Sequence, residues 1–180
     1  MIIKQLNYLK MEVLIYKTSF LHKTIIKVNT KSGDKMNENS ELLLYIYQNS
    51  EMGLKSTKKL INLLNKSDNK IKPIVEEELK EYEKFYKKAK SLLKKNKITP
   101  QGPKLMAEIS STIGINIEFL KDNSDAKIAD MLIRGFTMGN IEIDKKIDKY
   151  KDIVDKSIIK LAKDLKKNGE ENIEKLKSYL

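Results

Sequence analysis

The sequence predicts an all-α protein, an antiparallel four-helix bundle with a short extra crossover helix. Three observations predict it. From Met36 onward, apolar residues recur at helical spacing rather than in alternation. Glycine occurs only 7 times and proline only 3 times in 180 residues, which disfavours turn-rich all-β folds. Three breaks then divide the helical pattern: Ser67-Asp68-Asn69, Thr99-Pro100-Gln101-Gly102-Pro103 and Asp122-Asn123-Ser124.

The first 35 residues stand apart. They carry seven lysines and two acids, and their β-branched and aromatic residues come in short bursts without a sustained period. The longest apolar run, Val13-Leu14-Ile15-Tyr16, is shorter than the ~7–15 residues that a secretory signal needs. Met36 offers a second start, and the codons for Gly33-Asp34 can spell a ribosome-binding sequence before it. Residues 1–35 are therefore expected to be a mis-assigned leader; the alternative is a flexible basic arm. Residues 36–180 form the bundle domain.

Helices are expected near 37–66, 71–97, 103–121, 124–150 and 152–179. Leu42, Ile46, Gly53, Thr57, Leu60 and Leu64 share one face of the first at about 100° per residue. Ile71, Val75, Tyr82, Tyr86, Ala89 and Leu93 share a face of the second. The segment 103–121 has a broad apolar face from Leu105 to Leu120 and little charge, which suits a connector packed on the bundle. Ser124 is placed to cap the next helix, with Asp125 at its positive dipole end. Its stripe is Ile128, Leu132, Gly135, Gly139, Ile143 and Tyr150. The last helix lines up Val154, Ile158, Leu161, Leu165, Gly169 and Leu176. Four long amphipathic helices bury such stripes most simply against one another. Glu51-Met52-Gly53 and Thr137-Met138-Gly139 stand mid-helix in corresponding places, so residues 36–98 and 124–180 look like two related hairpins. Glycine mid-helix costs about 1 kcal/mol against alanine. Gly53 and Gly139 are thus expected at close helix–helix approaches, and the Gly135/Gly139 pair at tight packing.

Two long helical hairpins joined by a crossover resemble the ferritin-like superfamily. The resemblance implies an antiparallel bundle, and in metal-holding members inward Glu residues with Glu-x-x-His motifs. Residues 36–180 contain no histidine, and the one His in the chain is His22. Only Glu78, between Val75 and Tyr82, and Glu142, on the flank of its stripe, point inward, which is too few acids for a di-metal cage. Glu51 falls opposite its stripe, and Glu171 and Glu174 fall off theirs. The expectation is a metal-free branch of the family, with Glu78 and Glu142 as the centre of an alternative iron, manganese or small-ligand site and di-metal oxidase activity as a further alternative. Ser50, Thr57, Tyr82 and Tyr86 are the expected polar company of Glu78. Lys146, also on a core face, is expected to snorkel to water.

The chain lacks cysteine, which excludes disulfide scaffolds, thiolate metal sites and Cys–His nucleophiles. The seven glycines form no phosphate-binding loop. No apolar run nears the length of a membrane span. These absences point to a non-enzymatic cytoplasmic protein that meets a protein partner or itself, as a homo-oligomer. The net charge is +11, yet Arg134 is the only arginine beside 35 lysines. Arginine is the residue for bidentate base and phosphate recognition, so specific reading of nucleic acid is disfavoured. The candidate polyanion surface is Lys84, Lys87, Lys88, Lys94 and Lys95, in a stretch without an acid after Glu83. Tyr82 and Tyr86 are expected on the buried stripe rather than among those lysines.

Overall fold

The computed structural model describes residues 38–65, 67–100 and 122–180. The expected leader at 1–35 and the expected crossover helix at 103–121 lie outside the described residues. Those described form four helices and no strand: α1 Glu38–Leu64, α2 Lys72–Lys95, α3 Asp125–Tyr150 and α4 Lys156–Lys177. Among them no helix is long and apolar enough to cross a membrane.

Each helix starts and stops where local chemistry requires it. Pro73 in the first turn of α2 needs no hydrogen-bond donor there. At the other end of α2, Lys97 takes a left-handed conformation at φ 55°, and the Ile98 N–H donates back to the Leu93 carbonyl at 2.9 Å. This folds Ile98 onto the core. Ser124 caps α3 by accepting from the Lys127 N–H at 3.3 Å. α4 begins four residues later than its periodicity suggested. The N–H groups of Ile153 and Val154 both turn back to the Tyr150 carbonyl, and Asp155 in extended conformation is the N-cap. Val154 is buried all the same, from the turn rather than from the helix.

α1 packs chiefly on α2 and α3 chiefly on α4, while α4 also touches α1 and α2, and α1 touches α3. The expected stripes of α1 and of the last helix are buried at every position. On α2, Phe85 is buried where Tyr86 was expected, and Tyr86 is half-exposed. On α3 the buried positions include Ala129, Phe136 and Ile147, whereas Gly135 is exposed and Gly139 half-exposed. Among the described residues nothing lies within 4 Å of a Cβ built at either glycine, so the G-x-x-x-G pair marks no close approach between the described helices. The smallest residues of a stripe tell little about its direction, because a missing side chain is compatible with both water and contact.

The buried apolar residues fall into two clusters. One gathers Leu42, Ile46, Phe85, Leu93, Ile143, Tyr150, Ile158 and Leu161 with their neighbours. The other gathers Leu60, Leu64, Ile71, Val75, Ile128, Phe136 and Leu176. Tyr82 packs against both. Between the clusters along each helix stand small or polar residues: Ser50, Gly53 and Thr57 on α1, Glu78 on α2, Asn140 on α3, and Gly169 and Asn172 on α4.

Candidate functional site

The polar layer between the two clusters contains a buried carboxyl. Glu78 lies one helical turn before Tyr82 on the α2 stripe and is only 3% exposed. Burial pushes its carboxyl up from 4.5 to about 8, and a hydrogen bond with the Tyr82 hydroxyl partly opposes the rise. Its Oε2 has no hydrogen-bond partner among the described residues. A buried carboxylate without a cation is costly, so the carboxyl holds its proton at neutral pH. Burial and the neighbouring Glu78 likewise raise the Tyr82 hydroxyl well above its ordinary value.

Of the expected polar partners on α1, Ser50 does not serve Glu78. Ser50 is fully buried, but its hydroxyl donates to the Ile46 carbonyl of its own helix at 2.7 Å. Gly53 has a different role: a Cβ there would collide with the Tyr82 ring. That ring in turn stacks parallel to Phe136 of α3, at 6.5 Å between centroids.

α3 and α4 close their middle in a similar way. A Cβ at Gly169 would collide with the Asn140 amide. With that amide turned to satisfy both neighbours, Nδ2 donates to the Lys166 carbonyl and Oδ1 accepts from the Glu170 N–H, each at 3.2 Å. Asn172, 3% exposed, donates to the Asn168 carbonyl at 3.0 Å. These asparagines were missed in the sequence. Asn172 had a usable signal, since it stands on the stripe between Gly169 and Leu176.

Glu142 sits elsewhere. Its side chain is 36% exposed and pairs with Lys145 at 3.1 Å. It also acts on Tyr45, whose hydroxyl is raised first by burial and then by this charge. Neither Glu78 nor Glu142 belongs to a group of three or more His, Asp or Glu side chains placed to hold a metal ion among the described residues. Glu171 and Glu174 face water and pair with Lys167 and Lys177. Glu51 is more covered than its wheel position implied, at 19% side-chain exposure, and pairs with Lys55 at 3.0 Å. Lys146 does not run out to water. It lies 3.8 Å from Glu41 and 4.7 Å above the Tyr45 ring, and burial lowers its pKa against the pull of Glu41.

The candidate polyanion lysines all lie on the surface. Lys84 and Lys87 pair with Glu81 and Glu83, at 2.6 and 3.2 Å. Lys88, Lys94 and Lys95 are exposed and enter no ion pair among the described residues. Tyr86 is not beneath them in the core. It stacks on Tyr47 of α1 at 5.1 Å, with the two hydroxyls 3.2 Å apart and Lys90 5.7 Å from its ring. No protein-family model, curated protein or solved structure matches the chain.

Proposed function

We propose that the chain is a structural or interaction protein of the cytoplasm, built as an antiparallel, ferritin-like four-helix bundle that carries no metal. The observation that carries this reading is the filling of the polar layer. Helical bundles build ligand and metal sites from inward side chains on facing helices. Here Tyr82 occupies the space over Gly53, and Asn140 occupies the space over Gly169. The order of contacts supports the antiparallel hairpins. Tyr47 meets Tyr86 and Gly53 meets Tyr82; Asn140 meets Gly169 and Asp144 meets Lys166.

A second reading has one observation in its favour. Glu78 Oε2, without a hydrogen-bond partner among the described residues, is what a ligand or metal would complete, with Glu142 as the other candidate acid. One experiment separates the two. The protein is purified without a chelator or a His tag, and its iron, manganese and zinc are measured. The expected result is sub-stoichiometric metal and the same thermal unfolding with and without EDTA. Stoichiometric metal that is lost in Glu78→Gln would overturn the metal-free reading.

A further inference from the structure

Lysines outside ion pairs are not spread evenly over the described residues. On α4 the lysines of the C-terminal half are paired: Lys166, Lys167, Lys175 and Lys177 each lie within 4 Å of a carboxylate. Those of its N-terminal half, Lys156, Lys160 and Lys163, are exposed and enter no ion pair among the described residues. On α2 the order runs the other way: Lys72, Lys84 and Lys87 lie within 4 Å of a carboxylate, and of the lysines before Glu83 only Lys80 does not among the described residues. Its acids end at Glu83, and Lys88, Lys90, Lys94, Lys95 and Lys97 follow, exposed and outside any ion pair among the described residues.

The register of α2 against α4 brings the two unpaired halves to the same end. The Tyr179 hydroxyl donates to the Lys70 carbonyl at 3.2 Å, and Lys175 pairs with Glu77 at 2.8 Å. Contacts therefore descend α4 as they ascend α2. With a rise of about 1.5 Å per residue on both helices, Lys88 comes level with residues near 164 and Lys95 with residues near 157. The shared core agrees, since Ala89 and Leu93 belong to the same cluster as Ile158, Leu161 and Ala162. At about 100° per residue, Lys84, Lys88 and Lys95 lie within about 20° of Glu77, along the strip that meets α4. On α4, Lys160 lies about 60° from the direction of Lys175. Between its N-cap Asp155 and Asp164, α4 carries only basic charge, and Asp164, half-buried, lies within about 20° of Lys175 and level with Lys88. One seam thus begins with an ion pair, Glu77–Lys175, passes Asp164 beside Lys88, and ends with Lys95 on α2 and Lys160 on α4.

We propose that this basic end of the α2–α4 seam is a docking surface for the phosphodiester backbone of nucleic acid, bound without regard to sequence. The inference rests on the interaction-protein reading and names its partner. Like charges along two adjacent helices repel each other, and an extended polyanion relieves several at once while releasing its own counterions. Lysine supplies point charges and no bidentate fork, so the surface holds phosphates and does not read bases. A bilayer fits less well. An interfacial helix presents an apolar face to lipid, but the apolar faces of α2 and α4 are buried, and Ser91, Asn96 and Ser157 are exposed among the lysines.

The test uses the full chain and a labelled random-sequence DNA duplex of about 20 base pairs, titrated at several salt concentrations. Binding should weaken with salt, with a log–log slope of about −3 to −5 from about −0.9 per neutralised phosphate, and should not depend on sequence. K95Q/K160Q should lower affinity about tenfold at low salt and flatten the slope by about two. K58Q/K59Q removes the same charge from exposed lysines of α1 that enter no ion pair among the described residues, and should leave affinity within about twofold. Equal losses in both double variants would assign the binding to net charge alone and overturn the proposal. So would no binding at low salt, or binding of phosphatidylserine vesicles without binding of DNA. Absence of DNA binding leaves the metal-free scaffold standing, whereas stoichiometric metal overturns the scaffold whatever the DNA result.

Discussion

Glu78 makes the stability of the whole chain depend on pH. Its carboxyl titrates near 4.5 when unfolded and at about 8 when folded. Below the lower value both states hold the proton. Between the two, the unfolded chain releases it while the folded chain retains it, so stability falls as pH rises through this window and levels off above about 8. The loss is of order 3–5 kcal/mol. Glu78→Gln keeps the shape without the charge. Its melting temperature should be nearly flat from about pH 5 to 8 and above that of the parent at the upper end. Matching pH profiles for the two proteins would show that the folded carboxyl ionises freely. Lys97 carries a smaller strain in its left-handed conformation. Lys97→Gly should stabilise by about 0.5–1 kcal/mol, read from denaturant midpoints. The inward place of Glu78 was legible, because it stands between Val75 and Tyr82 at core spacing. The exchange of Tyr86 for Phe85 was not. Those positions flank one stripe, and the choice is set by Tyr47, whose hydroxyl holds that of Tyr86 at the partly open edge.

At the scale of helices, the glycines divide by what stands over them. Gly53→Ala forces the Tyr82 ring away and should cost about 1–3 kcal/mol. Gly139→Ala meets nothing within 4 Å among the described residues and should stabilise by up to about 1 kcal/mol, as alanine does in an open helix. Thermal melts of the two variants should move in opposite directions; the same direction would refute the contact at Gly53. Sequence spacing proposed both glycines as close approaches, and only the facing side chain separates them. Asp125 is the other lesson at this scale. Its carboxylate accepts from Asn69 Nδ2 at 2.9 Å and from the Lys70 and Ile71 N–H groups at 3.0 and 3.3 Å. It therefore caps the start of α2 from the first residue of α3. These hydrogen bonds hold its pKa below the ordinary value despite some desolvation. Its contribution is present at neutral pH and is lost as pH falls through the folded pKa. Asp125→Ala should cost about 1–2 kcal/mol in urea unfolding, with the difference from the parent shrinking in acid. Local pattern placed Asp125 on its own helix dipole. The second duty depends on a residue 54 positions away, Ile71, which no local pattern contains.

Across the whole molecule, the helical class and the stripes of α1 and α4 were legible because burial imposes a period that substitution by other apolar residues preserves. Observed helix ends fall within two residues of expectation except at the start of α4, where the turn keeps Val154 in the core without helical backbone. The facing of one helix to another was less legible, since it depends on pairs such as Tyr82–Gly53 and Lys175–Glu77 that only packing brings together. The division of the core has a consequence for how the fold opens. The Leu60–Leu176 cluster takes in Ile71 beside the α1–α2 turn, and the other takes in Tyr150 and Val154 beside the α3–α4 turn. The layer between them contributes little apolar burial to bind the two into one cooperative block. Amide protons should therefore exchange with deuterium in two sets, one for each end, and acidification toward the range where Glu78 is protonated in both states should draw their rates together.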